Sequence, residues 1–87
     1  MRHNPDFVLS NVAGSHVLMP SGKEAEMYGM VTLNDVGAVI WNALEEDVTF
    51  EQVLEKVMDR YEIGRETAEE DLVRFLEKLR SFNGLLE

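Results

Sequence analysis

The chain has 87 residues, of which 45% are hydrophobic and 29% are charged, a balance typical of one small globular domain over residues 1–87. Its 17 acidic and 8 basic residues give a net charge of -9, which disfavours nucleic acid and anionic membrane surfaces as partners. There is no cysteine, which excludes disulfides and the common cysteine-based zinc sites, and we therefore predict a cytoplasmic protein.

The first part of the chain has the pattern of β-strands. Dense apolar and β-branched residues from Phe7 to Val12 and from His16 to Met19 flank Ala13-Gly14, where glycine can take a positive φ. This pattern predicts a β-hairpin. Alternation of side chains from Met27 to Leu33 predicts a third strand, with Met27 and Met30 on opposite faces.

After Leu33 the hydrophobic period becomes that of an α-helix. The first helix is predicted from about Asp35 to Glu45, begun either by Asn34 as N-cap or by a capping box of Thr32 and Asp35. Trp41 lies off the centre of its apolar stripe, which predicts a partly exposed side chain.

A second helix is predicted to begin at a capping box formed by Thr49 and Gln52. The apolar stripe of this helix continues to Tyr61. Because glycine at position 64 can leave a helix, we expect the helix to end between these two residues. The predicted order of elements becomes β-β-β-α-α-α with the third helix, which begins after Gly64.

The third predicted helix has two stripes. The core-facing seam steps by four and three residues through Ala68, Leu72, Phe75, Leu79 and Phe82. A second stripe, turned roughly 80° to 140° from Ala68, consists of Glu69, Val73, Leu76 and Arg80. The sequence leaves two interpretations of the second stripe open: packing against another element, or the wall of a groove.

Residues suited to catalysis are few. His3 is expected in a frayed terminus and His16 at a strand edge, and the acidic runs 45–47 and 69–71 are expected in solvent. No nucleotide-binding, metalloprotease or nucleophile-elbow motif occurs. We therefore predict no enzyme activity, no cofactor and no metal site.

The residues that carry a family resemblance are spread over almost the whole chain. They are Asn4-Pro5, Val17-Leu18, Leu33-Asn34, Gly37, Ile40-Trp41, Val48-Thr49, Tyr61, Glu70-Asp71-Leu72, Phe75-Leu76, Leu79 and Gly84-Leu85-Leu86. By their order and spacing the chain resembles the PqqD family, whose small domains are also called RiPP recognition elements. No single one of these motifs is specific.

The resemblance implies an α+β, winged-helix-like domain, with a three-stranded antiparallel sheet followed by a three-helix bundle. In such domains the leader of a ribosomally made precursor peptide adds as a strand to the third strand and packs against the third helix. The implied partners are that leader and a modifying enzyme of the radical S-adenosylmethionine type or another maturase. Carried over to this sequence, the implied peptide-binding residues are Met27, Tyr28, Gly29, Met30, Val31, Glu69, Leu72, Val73, Leu76 and Arg80.

Two other classes of function remain open from the sequence. A winged-helix DNA-binding or regulatory domain has a similar content of strands and helices, although the charge of -9 speaks against it. A generic protein-interaction module is the other alternative, which includes a homodimer formed through the same edge strand.

Overall fold

The computed structural model describes residues 1–22, 24–27 and 29–87. The elements are β1 (Arg2–His3), β2 (Phe7–Val12), β3 (Ser15–Pro20), α1 (Glu24–Met27), β4 (Val31–Leu33), α2 (Asp35–Ala43), α3 (Phe50–Tyr61), α4 (Arg65–Ser81) and β5 (Leu85–Leu86). Strands β2, β3 and β4 form an antiparallel sheet in that order, and three longer helices follow it. The predicted α+β fold is confirmed.

The hairpin of β2 and β3 follows from its turn. Ala13 has φ 50° and Gly14 has φ 83°. A two-residue turn with positive φ at both central residues has a backbone twist that matches the right-handed twist of the two strands it connects. The strands pair antiparallel from Phe7↔Pro20 to Val12↔Ser15, so the predicted hairpin is confirmed.

The third strand is shorter than predicted. Among the described residues of the predicted strand, only Val31–Leu33 pairs with β3, whereas Met27 belongs to the helix α1, and Gly29 and Met30 lie outside regular structure. Tyr28 lies outside the described residues. Glutamate, alanine and methionine favour a helix, and glycine weakens a strand, so local preference overrides the alternating pattern before Val31.

A second, two-stranded sheet joins the two ends of the chain and was not predicted. Strand β1 pairs antiparallel with β5 through Arg2↔Leu86 and His3↔Leu85. The His3 ring stacks on Trp41 with a centroid distance of 4.3 Å, and Trp41 is only 2% exposed. The predictions of a frayed His3 and a partly exposed Trp41 are wrong, because β1 covers the Trp41 ring.

The helix starts agree with the predicted caps. Asn34 Oδ1 accepts a hydrogen bond from the Gly37 N–H at 2.8 Å, and Thr49 and Gln52 form both bonds of the capping box. Helix α3 ends at Tyr61, and its C-cap Glu62 takes the left-handed conformation at φ 50°, while Gly64 is the N-cap of α4.

Four side chains fix the rotation of α4 about its axis. Ala68, Leu72 and Leu79 are fully buried and Leu76 is 2% exposed, and all four belong to the main core. Phe75 is only half-buried. Leu76 therefore packs in the core, which is one of the two interpretations left open for the second stripe, because the buried arc of α4 extends from Ala68 through Leu72 to Leu76. In the described part of the chain, no helix has the length and apolar character needed to cross a membrane.

Substitution of Leu76 by alanine tests this rotation. L76A should lower the free energy of unfolding by about 2–5 kcal/mol, because it removes buried methyl groups and leaves a cavity. V73A on the same helix is the matched control: Val73 is 45% exposed, and its truncation should cost less than about 1 kcal/mol. Urea denaturation measures both variants, and equal losses would contradict the assignment of Leu76 to the core.

Stability should also depend on the protonation of His3. Burial against Trp41 lowers the pKa of His3 from its ordinary value of 6.5. Below pH 6.5 His3 is protonated in the unfolded chain but resists protonation in the folded protein. The free energy of unfolding therefore decreases as the pH is lowered from 6.5, until the pH reaches the lowered pKa of folded His3. The variant H3F, which keeps a stacked ring, should lose this part of the pH dependence in urea denaturation. Identical pH profiles for H3F and the unmodified protein would show that His3 does not contribute.

Candidate functional site

The outer edge of β4 has no strand partner among the described residues. Strand β4 occupies one end of the β2-β3-β4 sheet and pairs only with β3, in the register His16↔Leu33, Val17↔Thr32 and Leu18↔Val31. The unpaired N–H and C=O groups of such an edge are a template for another extended backbone. This edge is the first component of the candidate site.

Helix α4 lies beside that edge and the two enclose a groove of about 240 Å³. Its lining residues come from β4, the start of α2 and α4: Leu33, Asn34, Val36, Gly37, Ile40, Asp71, Arg74, Phe75 and Lys78. Leu33 and Ile40 are buried at its base and Phe75 is half-buried. An apolar base with a few charged groups around it is typical of a binding groove for a peptide or small molecule.

The lining of the groove by α4 is a regular helical stripe. Asp71, Arg74, Phe75 and Lys78 are spaced at i, i+3, i+4 and i+7, so they lie on one side of the helix. Gly37 on α2 makes room for the Phe75 ring, because a Cβ atom at position 37 would lie 2.9 Å from Phe75 Cε1. The ring is therefore seated directly against the α2 backbone.

The two basic residues of the groove, Arg74 and Lys78, form at most long ion pairs with carboxylates of the described residues. The Lys78 ammonium donates a hydrogen bond to the Thr32 carbonyl oxygen at 3.4 Å, and in the described part of the chain no carboxylate lies within 4.0 Å of it. Arg74 Nη1 is 3.9 Å from Asp71 Oδ1. By contrast, Arg65 Nη2 is 2.7 Å from Glu51 Oε2, which raises the pKa of the Arg65 guanidinium.

The predicted strand residues lie at or before β4. Met27 is the last residue of α1 and its side chain, like the whole of Tyr28, lies outside the described part. Gly29 is exposed and Met30 is 68% exposed. Val31 is half-buried and is the first paired residue of β4.

The predicted helix residues do not line this groove. Leu72 and Leu76 are in the core, while Glu69 bonds to Arg65 at 3.0 Å and Arg80 bonds to Glu87 at 2.7 Å. The groove stripe is turned roughly 20° to 120° from Ala68 in one direction, and Glu69, Val73 and Arg80 are turned in the other. The predicted wall and the groove therefore lie on opposite flanks of the core seam.

A second depression lies on the side of α4 that faces away from the core, and it includes Glu69 and Val73 of this opposite flank. It is larger, about 490 Å³, and is lined by Glu66, Glu69, Glu70, Val73, Arg74 and Glu77. Four of these are carboxylates, the only apolar member is Val73, and no residue of β4 takes part. We therefore place the candidate site in the smaller groove, which adjoins the unpaired strand edge.

The candidate site contains residues that were not predicted for it: Thr32 on the strand edge, and Leu33, Asn34, Val36, Gly37, Ile40, Asp71, Arg74, Phe75 and Lys78 in the groove. The sequence shows the helical spacing of Asp71, Arg74, Phe75 and Lys78. It also shows that this stripe combines one aromatic residue with two basic residues. Nothing local distinguishes this flank of the seam from the other.

The fold and the groove define a class: a small α+β domain in which a long helix stands beside an unpaired strand edge. The family model of PqqD, described as coenzyme PQQ synthesis protein D, matches residues 15–83. The chain belongs to the PqqD family.

Two solved structures are similar to this chain. The structure of TbiB1 in complex with the TbiA(beta) leader peptide has 27% sequence identity and a TM-score of 0.79, and the match covers 98% of this chain and 94% of that one. A lasso peptide synthetase B1 complexed with the leader peptide is 22% identical, with a TM-score of 0.77 and coverage of 99% and 96%, and this likeness shows the fold. No curated protein matches the chain.

The contact of Gly37 with Phe75 gives a test of the groove's geometry. In G37A the new methyl group must displace the Phe75 ring, which should cost about 1–3 kcal/mol and exceed the gain of about 0.5–1 kcal/mol in helix preference. In an F75L background the nearest obstructing atom is gone and the contact with Asn34 Oδ1 at 3.2 Å remains, so G37A should cost less than it does in the unmodified protein. G64A is the control, because a Cβ atom at Gly64 meets nothing within 4 Å. Thermal unfolding of all variants measures the coupling, and a G37A effect independent of position 75 would contradict the contact.

Proposed function

We propose that this protein is a non-catalytic adaptor that binds the leader segment of a ribosomally made precursor peptide and presents the precursor to a modifying enzyme. The observation that carries the proposal is the unpaired edge of β4 beside an apolar groove. Support comes from the PqqD family match and from the similar TbiB1 structure, which contains a leader peptide.

The binding mode follows from the geometry of a β-strand. An added strand exchanges backbone hydrogen bonds with β4, and its alternate side chains point toward α4. Those side chains would enter the groove over Leu33, Ile40 and Phe75. The backbone contacts supply affinity for any extended peptide, while the groove selects the sequence.

The peptide-binding surface is therefore proposed with a revised set of residues. Val31, Thr32 and Leu33 form the strand whose open edge receives the peptide. The exposed Gly29 and Met30 precede this strand and can lengthen the pairing. The predicted Met27 and Tyr28 come just before this segment.

On the helix side the groove stripe replaces the predicted wall. Asp71, Arg74, Phe75 and Lys78 face the peptide in this proposal. Leu72 and Leu76 act through the core by holding α4 in its rotation. The half-buried Glu69 and the exposed Val73 and Arg80 lie away from the added strand.

The second partner is the enzyme that modifies the precursor. A radical S-adenosylmethionine enzyme or another maturase fits the family resemblance, and the adaptor itself contributes no catalytic group, cofactor or metal in this proposal. A cytoplasmic location, expected from the cysteine-free sequence, is part of it. The neighbouring reading frames should contain a short precursor gene and its modifying enzyme.

The DNA-binding alternative loses support from the charge distribution. Two of the four basic residues of α4, Arg65 and Arg80, form ion pairs with carboxylates at 3.0 Å or less, and the chain carries a net charge of -9. Such a surface offers little for counterion release from phosphates. Pairing of two copies through β4 remains a competitor of peptide addition, since both use the same edge.

Substitution of Thr32 by proline tests strand addition. T32P removes a backbone N–H from the edge, where proline is tolerated in a sheet, whereas T32V keeps the amide and serves as the matched control. With the leader of the precursor encoded beside the gene, T32P should weaken binding about tenfold or more, and T32V should bind like the unmodified protein.

Isothermal titration calorimetry gives the affinities, and circular dichroism verifies that each variant is folded. A second measurement does not depend on the proline variant: the leader should slow hydrogen exchange of the Thr32 amide and shift the amide signals of residues 29–33 and of the groove stripe. Shifts confined to the opposite flank of α4, around Val73, would place the peptide in the other depression.

A further inference from the structure

The side chain of Lys78 occupies the edge on which the proposed peptide must pair. Its ammonium donates a hydrogen bond to the Thr32 carbonyl oxygen at 3.4 Å. This hydrogen bond connects α4 to the middle residue of β4. In an antiparallel pair the N–H and C=O of one residue point to the same side of the strand. Since the Thr32 carbonyl meets Lys78 and not β3, both polar groups of Thr32 face the unpaired edge.

When a strand adds, its backbone N–H must approach the Thr32 carbonyl from the side on which the Lys78 ammonium already lies. The incoming backbone N–H needs the Thr32 oxygen, and the lysine ammonium already holds it. Lysine on an unpaired edge also hinders pairing with another copy of the same chain, because a charged group must be displaced before any strand can add. An added strand that only displaces Lys78 leaves its ammonium without this acceptor.

The released ammonium lies beside Arg74, one helical turn away on the same stripe. Among the described residues, Arg74 has one carboxylate within 4.0 Å, that of Asp71 at 3.9 Å, and Lys78 has none. Two cations and one carboxylate give this end of the groove a positive charge in a chain whose net charge is -9. The groove is thus complementary to an anionic side chain.

We propose that Lys78 is an exchangeable cap of the β4 edge: an incoming strand takes the Thr32 carbonyl, and a carboxylate side chain of that strand binds the released Lys78 ammonium together with Arg74. The inference rests on the proposed function and specifies the sequence of the peptide. It also distinguishes a leader from a second copy of β4, whose Val31-Thr32-Leu33 carries no carboxylate.

The position of the carboxylate follows from the alternation of side chains. Thr32 is exposed on the outer face of the sheet, while Leu33 lines the groove. The peptide residue opposite Thr32 therefore points outward, and the residues immediately before and after it point toward α4. Aspartate or glutamate is expected at one of these two positions, with apolar residues at the next positions that face the groove.

Selection from a displayed library of short random peptides tests the proposal and does not require the natural precursor. The unmodified protein should enrich peptides that carry aspartate or glutamate at one fixed position within an apolar alternating pattern. The same selection on K78Q should lose this acidic preference and retain the apolar pattern. K56Q is the matched control, because it removes one lysine charge from an exposed position on α3, and it should enrich the same peptides as the unmodified protein.

One enriched peptide and its glutamine-substituted form then give a double-mutant cycle. Replacing the peptide carboxylate should weaken binding to the unmodified protein about three- to tenfold and should have little effect on binding to K78Q. Circular dichroism of K78Q verifies its fold, and a folded K78Q is expected because Lys78 is exposed. Equal losses for both proteins, or enriched peptides without an acidic preference, would overturn the role of Lys78.

Amide shifts separate failure of this inference from failure of the proposed function. Peptides that shift the signals of residues 31–33 but show no acidic preference would leave strand addition standing and remove the exchange. If no enriched peptide shifts these signals, the groove is not the peptide site, and the inference is overturned with it.

Discussion

The rotation of α4 is the constraint on which the rest of the structure depends. Burial of Ala68, Leu72, Leu76 and Leu79 allows only one orientation of the helix about its axis, since any other would expose leucine side chains to water. That orientation turns the stripe from Asp71 to Lys78 toward β4 and the flank with Val73 away from it. The core therefore decides which side chains a peptide on β4 would meet.

A strand edge that binds peptides must stay unpaired and yet not aggregate. Strand β4 has only three residues, and a lysine side chain lies across its middle carbonyl. Short length and an edge lysine are both features by which natural sheets avoid unwanted pairing. In this protein the same features favour binding of a peptide that pairs its backbone with β4 and also places a complementary side chain beside Lys78.

The ion pairs of α4 show that charge is distributed unevenly along this helix. A net charge of -9 describes a molecule that repels nucleic acid, but it does not describe the groove. Arg65 and Arg80 are bonded to Glu51, Glu69 and Glu87, whereas Arg74 and Lys78 border the groove with one distant carboxylate between them. Of the four basic residues of α4, the two without a close carboxylate thus lie at the strand edge.

The sequence by itself determined the fold class, the hairpin at Ala13-Gly14, the capping box at Thr49 and the family resemblance, because each depends on residues close together in the chain or on their order. It also placed a candidate binding surface at the third strand and the last helix. It did not reveal that Glu24–Met27 forms a helix, since a helix of four residues is too short to show a hydrophobic period.

Only the tertiary structure decided which flank of α4 meets β4 and that β1 covers Trp41. A helical wheel shows two flanks beside a core seam and gives no reason to prefer either, so Glu69, Val73 and Arg80 were selected in place of Asp71, Arg74, Phe75 and Lys78. The pairing of Arg2–His3 with Leu85–Leu86 joins the two ends of the chain, and no local signal encodes it. Contacts between distant segments depend on how the whole core packs, and the core is a property of the folded chain.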